Sequence, residues 1–397
     1  MAMNPKPAMP PTLLMIVHSE YPLGEPRVRR QAMAATETGW DVEVLCLHTA
    51  GAPAIETIDG CRVKRTRVVH RRRMTAAGLV REYGHFWFLS LWRCLWSRRR
   101  DVIVVANPPD FLVLATLPQR LRGAKVVLDV HDLMTDLFQV RLGLADEHPK
   151  MRLLGALERF SMGYADTVMT VHEPYAAEVR RRTHGRVDPA VVMNSADTHL
   201  FRRRQTEPRV GYTVMYHGSL IDRYGVLDLL EAFGRIDAVS PDASLWLLGD
   251  GDARKTILAR VDSAGLSRRV WVSDGMLPSE QIKDLLPRAS LGVIPNQPNL
   301  LNMYALSTKL FEYVQTGVPV LCADLPTLRL HFSETELLFF DAGNVDDLAV
   351  KLRWAFAHPD EMRQRADAAY TKCQREYAWP EQRRRFLAVL ASARKGE

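Results

Sequence analysis

TVMYHGSLIDRYGVLDLLEAF, residues 213–233, carries the fold in miniature. Thr213 to Tyr216 is an apolar run of strand length, and His217-Gly218-Ser219 closes it with small and polar residues. From Gly225 the apolar positions Val226, Leu229, Leu230 and Phe233 follow at i, i+3, i+4 and i+7, the stripe of a helix that packs on a sheet. Strand, small-residue turn and amphipathic helix together make one turn of an α/β fold.

The same unit recurs outward in both directions. Towards the N-terminus the apolar runs are Leu13–His18, Val42–Leu47, Val102–Ala106, Lys125–Val130, Thr167–Val171 and Val191–Met193. Towards the C-terminus they are Ser244–Leu248, Val270–Val272, Leu291–Ile294, Val318–Cys322 and Leu337–Phe340. They do not alternate polar and apolar residues, as expected of parallel strands covered on both faces. Between the two series, Phe201–Gly211 is polar, Arg-rich and interrupted by Pro208, which predicts a linker. At 397 residues the chain exceeds one ordinary core, so two doubly wound domains are expected, 1–205 and 206–378, followed by a closing helix over 379–397. Two such sheets imply a cleft.

Composition narrows the class further. With 47% hydrophobic and 25% charged residues the chain reads as globular. Cysteines 46, 61, 94, 322 and 373 form neither a CxxC nor a Cys/His cluster, which fits a reducing cytoplasm. Residues 1–12 lack a signal-peptide core and read as a disordered lead-in. The net charge of +7 is local: residues 62–100 hold twelve Lys/Arg against one acid, Glu82, and the remainder is mildly acidic. Without a nucleic-acid-binding motif, this basicity does not predict a nucleic-acid partner.

In parallel α/β sheets ligands sit beyond the carboxyl ends of the strands, so the residues after each run are informative. These are His18-Ser19, His131-Asp132, His217-Gly218-Ser219 and Gly249-Asp250-Gly251. The G-x-G lets backbone approach a phosphate and equally describes a tight turn; a full G-x-G-x-x-G fingerprint is absent, which disfavours an NAD enzyme. His131 fits a ligand contact and, equally, a satisfied structural histidine. Leu291–Pro319 is the richest segment: a strand, a polar loop and a helix start at Ser307-Thr308, whose free N–H groups suit an anionic diphosphate. Lys309 adds a positive charge there. Glu312, one turn on, suits a ligand or an i,i+3 pair with Lys309.

At these residues the chain resembles the family-four glycosyltransferases of the GT-B fold, particularly the branch building surface polysaccharides and glycoconjugates. The likeness rests on Tyr21-Pro22 with Glu25-Pro26-Arg27-Val28-Arg29-Arg30, on Asn107 to Leu112, on Leu128 to Met134, on Asn194-Ser195 through Phe201, on His217 to Leu220 with Arg223-Tyr224-Gly225, and on Leu306 to Tyr313. The resemblance implies a nucleotide-sugar-binding second domain facing an acceptor-binding first domain. It implies that Arg223 and Lys309 grip the donor diphosphate, that Glu312 holds the ribose hydroxyls, and that His131 reaches the transferred sugar. Gly218, Ser219 and Gly249 would permit close backbone approach, Thr308 would open the phosphate-binding helix, and Met276 and Leu277 would border the base. The first glutamate of the family's E-x7-E motif would fall at Tyr304, a departure that leaves the donor sugar open. The resemblance further implies retention at the anomeric carbon, a UDP- or GDP-sugar donor, a glycan or lipid-linked acceptor, and no required metal or cofactor.

The basic stretch invites a surface reading. Residues 62–73 crowd seven Arg/Lys, and Leu79–Trp96 carries Phe86, Trp87, Phe88, Trp92 and Trp96, too short and too charged for a comfortable membrane span. It reads either as a core helix beside a solvated loop or as attachment to an anionic membrane surface through residues 62–100, peripheral on the inner face. A non-catalytic sugar-nucleotide-binding or scaffold protein on the same fold is the competing function, motivated by Tyr304.

Overall fold

The computed structural model describes residues 9–22, 24–70, 75–145, 147–198, 200–203, 211–236 and 242–396. Most of the expected linker, 204–210, and the basic residues 71–73 lie outside these. The chain divides into two compact units, Met1–Met193 with Gln382–Glu397, and Asn194–Glu381.

The first unit is an eight-stranded sheet in the order β3-β4-β2-β1-β5-β6-β7-β8. Its strands are β1 (Thr12–Val17), β2 (Asp41–Cys46), β3 (Ile55–Ile58), β4 (Cys61–Arg65), β5 (Val102–Ala106), β6 (Lys125–Val130), β7 (Thr167–Thr170) and β8 (Ala190–Val191). All pair in parallel except β3 with β4. Helices α1 (Pro26–Glu37), α2 (Ala76–Trp96), α3 (Leu117–Arg120), α4 (Met134–Leu142), α5 (Pro149–Tyr164) and α6 (Glu173–Arg182) connect them. Right-handed crossovers put α1, which runs from β1 leftward to β2, on one face; α2, α3 and α5 run rightward and cover the other.

The β3–β4 hairpin is absent from the expected runs. It turns at Asp59-Gly60, both with positive φ, the Asp-Gly pair that a tight hairpin turn demands. Its strands alternate in burial because one face is solvated, so their sequence shows no continuous apolar run. The structure also spends several cations of the basic stretch internally. Lys64, Arg93 and Arg100 surround the carboxylate of Glu43, buried in β2, and Arg65 pairs with Glu56.

The second unit is a six-stranded parallel sheet in the order β11-β10-β9-β12-β13-β14. Its strands are β9 (Tyr212–His217), β10 (Ala243–Leu248), β11 (Val270–Val272), β12 (Leu291–Ile294), β13 (Val320–Ala323) and β14 (Leu338–Phe340). The helices are α7 (Val226–Gly234), α8 (Arg254–Ser263), α9 (Ser279–Leu285), α10 (Leu300–Tyr304), α11 (Thr308–Thr316), α12 (Pro326–His331), α13 (Val345–Ala357) and α14 (Pro359–Glu376). Val226, Leu229, Leu230 and Phe233 are the buried face of α7, as their spacing requires. The last helix, α15 (Trp379–Lys395), belongs from Gln382 onward to the first unit, where Gln382 Oε1 accepts from the Met193 amide at 2.8 Å. In the second sheet chain order reverses between β9 and β12, and at such a switch point the carboxyl ends open a crevice.

Candidate functional site

At that crevice the loop after β9 bears Arg223 and the loop after β12 leads to Lys309. Arg223 sits in a short 3-10 turn, Asp222–Tyr224, that three contacts immobilise. Its carbonyl accepts from Asn302 Nδ2 at 2.6 Å and from the Gln297 amide at 3.2 Å. Gly225 has φ +68, and a Cβ there would stand 1.8 Å from the Pro295 carbonyl oxygen, so only glycine lets the two loops meet. The Arg223 guanidinium lies 5.0 Å from the Tyr224 ring centre, and its Nη2 donates to the Tyr224 hydroxyl at 3.3 Å.

Lys309 approaches the same ring from α11, its Nζ 5.1 Å from the Tyr224 centroid and 4.5 Å from that of Tyr216. Nζ donates to the Tyr216 hydroxyl at 3.2 Å rather than pairing with Glu312. Two cations thus flank one tyrosine, and among the described residues neither has a carboxylate within ion-pair distance. Arg223 Nε is buried without a hydrogen-bond partner among them. Burial lowers the Lys309 pKa to about 8, Glu312 opposing only in part. An excess of partly desolvated positive charge is a seat for an anion.

Backbone completes the seat. The Ser307 side chain does not cap α11, so the first-turn amides, beginning at Thr308, have no partner from that side chain. Gly218 has φ +113, and a Cβ there would press 3.4 Å from Lys309 Nζ. Gly249 does a different job from the one expected: the space its missing Cβ leaves is filled by the Gly218 carbonyl oxygen, 1.8 Å from where that Cβ would stand. Its role is loop-on-loop packing, and its own amide donates to Ser273 Oγ at 2.8 Å. Ser273 Oγ in turn donates to the Gly275 carbonyl at 2.7 Å, shaping the loop that carries exposed Met276 and half-buried Leu277. Ser219 contributes its carbonyl, which accepts from the Tyr216 hydroxyl at 2.8 Å.

Glu312 Oε2 lies 3.4 Å from His217 Nε2. Burial, then Lys309, lowers the His217 pKa to about 3, so the imidazole facing Glu312 is neutral. The structure therefore brings Arg223, Lys309, Glu312, Gly218 and Ser219 together and links Gly249, Met276 and Leu277 to them through Ser273. Tyr304 ends α10, whose buried Asn302 holds the Arg223 loop.

His131 belongs to the first unit. Its Nε2 is 2.9 Å from Asp129 Oδ2 and its Nδ1 is 3.7 Å from Glu25 Oε2, beyond hydrogen-bond reach. Asp129 is a fully buried carboxylate that also accepts two bonds from Arg27 and one from Gln31, all at 2.9 Å. Burial opposes a charge on His131, but Asp129 and Glu25 outweigh it and its pKa is raised. The sequence alone assigns no role to Asp129, Arg27, Tyr216, Tyr224, Ser273 or Asn302. One signal was available: an aspartate inside the apolar run Lys125–Val130 must find a cation or lose its charge. Among the described residues no group of three or more His, Cys, Asp and Glu is placed to hold a metal ion.

Two family models match end to end: residues 24–195 fit the glycosyl transferase 4-like domain and residues 197–372 fit glycosyl transferases group 1. Among curated relatives, a chitobiosyldiphosphodolichol beta-mannosyltransferase of Candida albicans is 22% identical over 63% of this chain, which spans 58% of that relative's length. A 2-deoxystreptamine glucosyltransferase of Streptomyces kanamyceticus is 25% identical, covering 74% of this chain and 79% of its own. The fold matches sucrose-phosphate synthase from Thermosynechococcus elongatus, with TM-score 0.79 and 18% identity over 98% of this chain and 100% of that one. It also matches Anabaena HepE in complex with UDP-glucose, with TM-score 0.71 and 14% identity over 96% and 99%. With two parallel sheets of this topology, and both family models matched in order, the chain belongs to the group 1, family-four glycosyltransferases of the GT-B fold.

Proposed function

We propose that this chain transfers a hexose, with retention, from a nucleoside diphosphate donor to a hydroxyl of a glycan or a lipid-linked acceptor. The observation that carries the donor half is the pair Arg223 and Lys309, two partly desolvated cations with no ion-paired carboxylate among the described residues, flanking Tyr224 beside the start of α11, which the Ser307 side chain does not cap. In this reading they bind the diphosphate, Glu312 holds the ribose, Met276 and Leu277 border the base, and Gly218, Ser219, Gly249 and Thr308 shape the backbone around it. A UDP-sugar is favoured by the similarity to HepE, whose structure contains UDP-glucose; a GDP-sugar is the alternative.

The chemistry follows from charge. As the bond from the anomeric carbon to the phosphate oxygen breaks, negative charge grows on the diphosphate, where the two cations and the helix start stabilise it. The acceptor oxygen bonds to the anomeric carbon on the face the phosphate leaves, and its proton passes to the departing phosphate oxygen. His131, its pKa raised by Asp129 and Glu25, offers its Nδ1 to the transferred sugar. The first unit carries the acceptor, and the basic, aromatic residues within 62–100 bring the chain to an anionic membrane surface. The compartment would be the cytoplasm, where the five buried, unpaired thiols stay reduced.

The test is incubation with a panel of labelled UDP-, GDP-, ADP- and TDP-sugars, with nucleotide release as the readout. Release that collapses in Arg223→Ala and Lys309→Ala supports the transferase. Tight donor binding with neither hydrolysis nor transfer supports a non-catalytic scaffold, the reading that Tyr304 favours.

A further inference from the structure

The helix layer formed by α2, α3 and α5 has an outward surface that the core does not need. α2 buries Leu79, Tyr83, Phe86, Ser90 and Cys94, yet Phe88 and Trp92 are each 55% exposed and Trp96 is 70% exposed. On α3 and its following turn, Leu117 is half exposed and Leu121 is 79% exposed; on α5, Leu153 is 70% and Phe160 60% exposed. The three helices are neighbours. α2 and α5 both pack on the 3-10 segment Asp110–Thr116, and Arg122 donates to α2 carbonyls at Cys94 and Leu95. The Arg120 guanidinium stacks 4.4 Å from the ring centre of Tyr164, at the end of α5. Single exposed apolar residues are ordinary; a contiguous set with large aromatic members marks an interaction surface.

Arginines outnumber acids around this set: Arg81, Arg99, Arg122, Arg152 and Arg159 are exposed on or beside the three helices, while Arg98 pairs with Asp41 and the exposed acids Glu147 and Asp166 lie just outside the two ends of α5. The only carboxylates in the helices are Glu82 of α2 and Glu158 of α5, and both are buried. Glu82 faces His18 and His70, and Glu158 faces Arg182. At the end of α5 the surface dips into a cavity of about 560 Å³ lined by Arg159, Phe160, Tyr164, His184 and Arg186 among others, with no carboxylate in its wall. No helix among the described residues is long and apolar enough to cross a membrane.

We propose that the α2–α3–α5 face docks on the surface of an anionic lipid bilayer, with Phe88, Trp92, Trp96, Leu121 and Phe160 entering the headgroup region and the arginines meeting lipid phosphates. This deepens the membrane part of the proposed function by replacing a stretch of sequence with one face of the fold. Aromatic and aliphatic side chains ringed by arginine, with no exposed acid on the same helices, complement an interface that is apolar below and negative above. A second copy of the chain would bring its own like charges against these arginines.

The experiment uses the full chain with vesicles of phosphatidylcholine alone or mixed with phosphatidylglycerol, read by co-sedimentation and by the blue shift of tryptophan emission. Binding to the mixed vesicles that weakens with salt is expected. The variant Trp92→Ser with Trp96→Ser, and separately Arg99→Glu with Arg152→Glu, should each lower partitioning by roughly tenfold. Both variants should keep the wild-type circular dichroism melt and the wild-type rate of nucleotide release in vesicle-free solution, a readout that stands or falls with the donor site alone. Equal binding to neutral vesicles, or variants that bind like wild type, would overturn the proposal. So would self-association of the wild type, lost in the tryptophan variant, with no binding to vesicles.

Discussion

Lys309 gives the sharpest test of the donor site, through pH. With its pKa lowered to about 8 by burial, the side chain is about nine-tenths protonated at about pH 7 and about one-tenth at about pH 9. Only the ammonium form attracts a diphosphate, so donor affinity should fall about tenfold across that interval, or about 1.4 kcal/mol. Binding above pH 8 should take up a proton, because the bound diphosphate raises the lysine's pKa again. Titration calorimetry with the nucleoside diphosphate at both pH values measures this directly. Lys309→Arg keeps its charge throughout and Lys309→Met never has one, so both should lose the pH dependence, the first at near-native affinity and the second at reduced affinity. The ligand's own titration is common to all three proteins and cancels in their ratio. If the wild type changes by less than about twofold relative to Lys309→Met, the lysine does not contact the anion. Stability offers a check of the opposite sign. A lysine depressed below its unfolded value of about 10.4 makes the unfolded chain bind more protons between the two pKa values, so stability should rise with pH over that window. Lys309→Met should flatten that rise.

Four further outcomes follow from particular contacts. Arg223→Ala removes a charge-assisted contact of about 1.5–3 kcal/mol, so turnover should fall by roughly one to two powers of ten while the thermal midpoint barely moves. Asn302→Leu deletes the 2.6 Å bond to the Arg223 carbonyl and should weaken donor binding by several-fold in calorimetry, although Asn302 touches no donor in the proposed site. In the first unit, Arg27→Leu deletes two of the four hydrogen bonds described at the buried Asp129 carboxylate, leaving Gln31 and His131, and should cost about 3 kcal/mol in denaturant unfolding, much of it recovered by adding Asp129→Asn. A chelator should leave nucleotide release unchanged if Arg223 and Lys309 carry the diphosphate charge; complete loss would place a metal there instead.

Much of this architecture is written locally. Continuous apolar runs such as Val102–Ala106 can be satisfied only by burial on both faces, and their alternation with helical stripes leaves a parallel α/β sheet as the solution. Ser307-Thr308-Lys309 could be read as an anion-binding helix start for the same reason, since uncapped amides and a lysine act over a few residues. The Asp59-Gly60 hairpin is equally local, although its half-solvated strands alternate and so do not read as continuous apolar runs.

What the sequence could not decide were the encounters between distant segments. Whether Lys309 would meet Glu312 on its own helix or Tyr216 of β9 and Tyr224 of the turn after it depends on how β9 and β12 sit side by side. The destination of the basic stretch was open in the same way. Glu43, in the sheet, draws in Lys64, Arg93 and Arg100, while Arg65 pairs with Glu56 and Arg98 with Asp41. Periodicity and capping arise from interactions within a few residues, so they are legible in order of sequence. A partner for a charge is chosen by burial and proximity in three dimensions, and only the folded chain supplies those.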